Sequence, residues 1–164
     1  MTTAPVLVMA VGNESRGDDA LGPLLLRDLA AWLACRENPC EVETIEEFQL
    51  QVEHTLDLKD RSVVLFIDAG KHTHAPFTFA RAAPQRLAGH TTHAVAPESL
   101  LGVYAMVHAA DPPPAFILCV AGSEFELGEP LSAQARQHLQ QASAFARRLF
   151  EHPTPAAWQA LAEA

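Results

Sequence analysis

The sequence predicts an α/β fold: a five-stranded, mostly parallel twisted sheet with helices on both faces. Two observations carry this. Short apolar, β-branched runs alternate with longer stretches of helical periodicity. Three of those runs, residues 6–11, 63–67 and 115–120, are almost continuously apolar, as strands covered on both faces must be. The chain has 164 residues, 49% of them hydrophobic, enough for one domain with a buried core. That domain is expected to span residues 1–164, with its core over about 5–150 and a tail over 153–164.

The first run, PVLVMAV at 5–11, ends at Gly12 and reads as a buried strand. A polar loop, 12–19, leads into a helix with Leu21, Leu24, Leu25, Leu29, Trp32 and Leu33 at helical spacing, stopped by Asn38-Pro39. Residues 41–45 alternate as a second strand, and 48–58 suggest a short helix. VVLFI at 63–67 is the clearest strand, and Asp68 directly follows it. Residues 76–80 read as a fourth strand, folded back as a hairpin through 71–75.

A long connection, 84–96, contains Gly89, His90 and His93. Pro97 suits the first turn of a helix that places Leu100, Leu101, Tyr104 and Val107 on one side, before Asp111-Pro-Pro-Pro ends it. Residues 115–120 form the fifth strand. The last long helix carries Ala135, Leu139, Ala142, Ala146 and Leu149 on one face, with Ser132 as N-cap. Pro153 closes it, and the remaining tail reads as a loose extra turn in which Trp158 has no assigned role.

The formal net charge of −9 argues against binding nucleic acid or an anionic membrane. Three cysteines, Cys35, Cys40 and Cys119, form no disulfide framework and point to a reducing cytoplasm. The start of the chain lacks a basic targeting region, and no apolar stretch approaches the roughly 20 residues of a spanning helix.

Sites in such sheets gather at the carboxyl ends of the parallel strands, which selects the loop at 13–19 and residues 68–70. Asp18 and Asp19 enter the first helix, where capping accounts for one carboxylate but not two. Asp68 follows an apolar strand and is poorly solvated unless something satisfies it. His93 alone reads as an ordinary loop histidine, and its HxxH spacing with His90 is no zinc signature by itself. Two carboxylates and an imidazole together suit a divalent borderline ion such as nickel or zinc, with positions left open for water or substrate. No GxSxG is present, and Cys119 lies in an apolar strand.

GNESRGDDALG at 12–22 resembles the GNxxxxDEGxG segment that opens hydrogenase maturation endopeptidases. VVLFIDA at 63–69 resembles their central strand ending in Asp. Thr92-His93 followed by PESLL at 97–101 resembles their histidine segment, and GSEFELGEPLS at 122–132 the stretch before their last helix. The resemblance runs from about residue 5 to about residue 150 and keeps the family's order. It implies a five-stranded sheet flanked by helices and one cut near the C-terminus of a nickel–iron hydrogenase large-subunit precursor, after nickel insertion. It places the family's metal-contacting acid, second acid and histidine on Asp19, Asp68 and His93, with nickel supplied by the precursor rather than resident. FQLQVEH at 48–54 and FELGEP at 125–130 look most like maturases of cytoplasmic, NAD-reducing hydrogenases. The sequence departs from the pattern at Asp19, where Glu is usual, and at Ala20, a common Gly. The shorter side chain draws the carboxylate back by about 1.5 Å, one bond length, which keeps Asp18 as the alternative ligand.

Two other classes remain open. A glycine loop between strand and helix suits a nucleotide phosphate, but 12–22 is neither GxGxxG nor GxxxxGK[ST] and carries three acids. A hydrogenase chaperone would bind the same precursor without cutting it.

Overall fold

Nothing in VLVMAV asks for water, and β1 (Val6–Val11) accordingly lies inside the sheet, with Val6 to Ala10 buried. The computed structural model describes residues 2–37, 40–87 and 95–164. Among these, the further strands are β2 (Val42–Glu47), β3 (Val63–Gly70), β4 (Phe77–Arg81) and β5 (Ala115–Ala121). Their order is β2-β1-β3-β5-β4. The pairs β1–β2, β1–β3 and β3–β5 are parallel, and β4 runs antiparallel to β5. The mostly parallel sheet expected from the sequence is therefore present.

Alternation along the buried strands sorts the core into two layers. Val6, Val8, Ala10, Val63, Leu65, Ile67, Phe116, Leu118 and Val120 face α1 (Leu21–Ala34) and α3 (Ala133–Leu149). Leu7, Met9, Val64 and Phe66 face the other way, against α2 (Pro97–His108), Leu58 and Val95. The period of two along a strand thus decides which layer each side chain joins. Ser132 caps α3, its hydroxyl accepting the Ala135 N–H at 3.1 Å.

Four expectations are corrected. Residues 77–81 form no hairpin with β3: β5 pairs with both and separates them, so β4 is an edge strand. The 52–58 segment winds as a 3-10 helix. Leu100, Leu101 and Tyr104 are buried as expected, but Val107 is 65% exposed, at the outer end of α2. The tail is not loose. Pro155–Glu163 forms α4, with Thr154 capping it through the Ala157 N–H and Trp158 fully buried.

No helix among the described residues is long and apolar enough to cross a membrane. The connection from β1 leads to β2 on one side, whereas β3 is followed by strands on the other side. That reversal puts the switch point of the strand order between the carboxyl ends of β1 and β3, the place where open α/β sheets bind ligands.

Candidate active site at the carboxyl ends of β1 and β3

The loop after β1 reaches this switch point through a 3-10 turn, Gly17–Ala20, that runs directly into α1. Two glycines permit the close approach. Gly12 has φ +153°, and a Cβ there would collide with the Asp19 carbonyl oxygen. Gly22 sits on the Val11 carbonyl oxygen, with the Ile67 carbonyl next to it, so α1 starts directly on the ends of β1 and β3. Larger residues would hold the Asp19 turn away from the sheet.

Asp19 folds back on its own loop: Oδ2 accepts the Asn13 N–H at 2.7 Å. Oδ1 takes no hydrogen bond from the described residues. Asp68 belongs to β3 rather than following it, paired in register with Cys119 of β5. Its Oδ1 accepts the Ala69 N–H at 2.7 Å, and Oδ2 takes no hydrogen bond among the described residues. Burial pushes the Asp68 pKa up to about 6; the Ala69 N–H opposes this, and the nearby Asp19 charge adds to it. The structure thus brings Asp19 and Asp68 close enough to feel each other. His93 and His90 lie outside the described residues. Leu87 and Val95, which bracket residues 88–94, both pack in the layer that contains Phe66, two positions before Asp68 on the same face. Among the described residues no group of three or more His, Cys, Asp or Glu side chains could hold a metal ion.

Asp18 does something else. It is fully buried, and its carboxylate is bonded to residues 123, 124 and 132. Burial works to raise its pKa, but the N–H groups of Ser123, Ser132 and Glu124 and the Ser132 hydroxyl prevail and hold it below the usual carboxylate range.

Cys119 and Thr73 are neighbours of the site that the sequence reading did not assign. Cys119 Sγ lies 3.2 Å from Thr73 Oγ1. Burial, with Asp68's charge adding to it, pushes the thiol pKa up, which makes Cys119 a poor nucleophile. Register is the signal that could have found it, since it stands opposite Asp68.

Beside Asp19 a cleft of about 430 Å³ opens between the ends of β1 and β2. Gly12, Asn13, Glu14, Arg27, Glu47 and Phe48 contribute to its walls. Arg27 pairs with Glu14 and Glu46 across the cleft wall, and Phe48 stands 76% exposed at its rim.

These features define an α/β protein with two neighbouring carboxylates at the strand-order reversal. Solved structures share this fold. The hydrogenase maturating endopeptidase HybD from E. coli superposes with a TM-score of 0.66 at 19% identity, over 89% of this chain and 92% of that one. The [NiFe] hydrogenase maturation protease HycI from Thermococcus kodakarensis KOD1 gives 0.62 at 19%, over 90% and 93%. A hydrogenase 2 maturation peptidase from Thaumarchaeota archaeon SCGC_AB-539-E09 gives 0.59 at 22%, over 88% and 97%. The likeness is one of fold. Comparison with protein-family models and with curated proteins gives no match.

Proposed function

We propose that this chain is an endopeptidase that removes the C-terminal extension of a nickel–iron hydrogenase large-subunit precursor after nickel insertion. One observation carries the reading: a carboxylate from the turn after β1 and one from β3 lie within electrostatic reach of each other, and burial disfavours the charge on Asp68 in the absence of a cation. The shared fold supports it, because solved structures that superpose on this chain include hydrogenase maturation proteases.

In this reading Asp19, Asp68 and His93 contact the nickel that the precursor carries, so the metal is part of the substrate. Two carboxylate oxygens and an imidazole suit that borderline ion. Nickel so held can polarise the scissile carbonyl and acidify a water. The protein's own contribution is placement and proton handling. Asn13 and Ala69 each fix one carboxylate oxygen, at Asp19 and Asp68, and leave the other to meet substrate. Alternatively, nickel only positions the substrate and a carboxylate takes the proton from the attacking water; Asp68, whose pKa without metal is raised to about 6, suits that second route. The cleft beside Asp19 gives the precursor's extension a place to lie.

The reaction belongs in the cytoplasm, which suits three cysteines that are all free. Assignment to NAD-reducing hydrogenases rests on residues 48–54 and 125–130 alone.

Purified protein incubated with nickel-loaded precursor decides the matter by intact mass. Wild type is expected to release a C-terminal peptide. Asp68→Ala and His93→Ala should release none while keeping the wild-type circular dichroism spectrum, and nickel-free precursor should stay intact. A stable complex with no mass change would mean a chaperone and end the protease reading. Full processing by either variant removes that residue from the site.

A further inference from the structure

We propose that Asp18 is the positioning residue of this site, clamping the 123–132 segment onto the 13–19 loop and thereby fixing the Asp19 carboxylate. The catalytic part of this inference rests on the protease reading; the structural part does not.

The clamp is built from both sides. Asp18 Oδ2 accepts from Ser123 N at 2.8 Å, Glu124 N at 3.1 Å and Ser132 Oγ at 2.9 Å, and Oδ1 accepts from Ser132 N at 2.8 Å. Ser123 Oγ adds a longer contact at 3.5 Å. Four short bonds and complete burial turn this carboxylate inward, away from a metal carried by a substrate. Backbone bonds run alongside: Asp18 N–H to Glu124 O at 2.6 Å, Gly17 N–H to Glu129 O at 3.0 Å, and Gly128 N–H to Ser15 O at 2.7 Å.

This is not the cap of its own helix. The partners are 105 to 114 residues away in sequence. Ser132 joins the clamp to α3, because the hydroxyl that donates to Asp18 also accepts the Ala135 N–H. The 13–19 loop is thereby tied to the first turn of a 17-residue helix. The next residue in the chain is Asp19, held to Asn13 by a single 2.7 Å bond. With the preceding residue pinned by its side chain and its N–H, the backbone from which the Asp19 side chain departs is held in place.

Asp18→Asn and Ser132→Ala test the proposal, with Ser132→Thr as the conservative rescue. Asp18→Asn keeps the shape but aims an amide N–H₂ at groups that donate. In that variant kcat should fall by about a hundredfold with KM little changed, the cost of a misplaced group rather than of lost binding. Ser132→Ala should fall by about tenfold, a loss of roughly 1.4 kcal/mol in transition-state placement, and Ser132→Thr should recover most of it. Amide hydrogen exchange at Asn13 supplies a readout independent of activity. Its protection should drop in Asp18→Asn and Ser132→Ala, since its acceptor on Asp19 is released. Folded variants with unchanged Asn13 protection overturn the clamp, as does a loss carried by KM alone. If Asp18→Asn does not fold, Ser132→Ala and Ser132→Thr decide alone. A wild type that cuts no precursor ends the protease reading, and Asn13 exchange still reads the clamp.

Discussion

Ionising Asp68 places a charge where burial and Asp19 both oppose it, so its pKa rises to about 6 from an ordinary value of 3.8. The consequence for stability has the opposite sign to that of a salt-bridged carboxylate. Between those two pH values the folded protein binds more protons than the unfolded chain, so stability falls as pH rises through the window. Above it the loss is complete, on the order of 3 kcal/mol. Asp18 acts in the other sense: its lowered pKa contributes stability that disappears only as pH falls below the ordinary carboxylate value. The windows do not overlap, so urea unfolding of wild type and Asp68→Asn side by side at about pH 4.5 and about pH 7.5 reads Asp68 through the difference between the two proteins. Asp68→Asn keeps the Oδ1 that accepts from Ala69 and removes the charge. It should be more stable than wild type by about 1–3 kcal/mol at the higher pH, show a flatter profile, and cut no precursor. Parallel pH profiles for the two proteins would mean that Asp68 ionises without cost and that its burial is not felt.

Elements were legible in the sequence where their own pattern decides them. The runs at 6–11, 63–67 and 115–120 became β1, β3 and β5, and Ser132 caps α3 as its position ahead of the helix suggested. Where distant partners decide, the local pattern was silent. Nothing in residues 76–80 says that β5, some 35 residues later, will take the place beside β3. The tail shows the same effect, because Trp158 finds its partners only in the folded sheet. Its ring meets Phe116 and Phe150 edge-on at 5.7 and 5.6 Å, and Nε1 donates to the Leu149 carbonyl at 2.7 Å. That carbonyl belongs to the last turn of α3, so Trp158 both seals the core and satisfies a helix end. Trp158→Ala should cost about 3–5 kcal/mol, measured by urea denaturation, through the cavity and the lost hydrogen bond. Trp158→Phe should cost distinctly less but still more than a neutral swap, because the carbonyl loses its donor. An alanine variant as stable as wild type would show that α4 is a dispensable appendage.

At the scale of the whole molecule, the sheet order puts the loop after β1 where nucleotide-binding folds keep their phosphates, and sequence alone left that class open. Asp68 could be picked out because it stands at the carboxyl end of a recognisable strand, and Asp19 because it lies in the loop that follows one. The work of Asp18 could not, since its partners lie more than a hundred residues on. The backbone of the loop decides between the classes. A phosphate cradle needs amides that point outward unpaired. Here Gly12 N–H donates to Glu47 O, Asn13 N–H to Asp19 Oδ2, and Ser15 N–H to Asn13 Oδ1. Arg16, Gly17, Asp18 and Asp19 donate to Asn13, Glu129, Glu124 and Arg16 carbonyls in turn. Seven of the eight amides from Gly12 to Asp19 are thus committed inside the protein, and Asp19 brings a negative charge into their midst. NAD and ATP at millimolar concentration should therefore leave the unfolding temperature within about 1 °C of the ligand-free value, since a ligand stabilises only what it binds. A clear upward shift with either nucleotide would require this loop to open, and a loop that opens to take phosphate could not also hold Asp19 against Asn13 for a metal-bearing substrate.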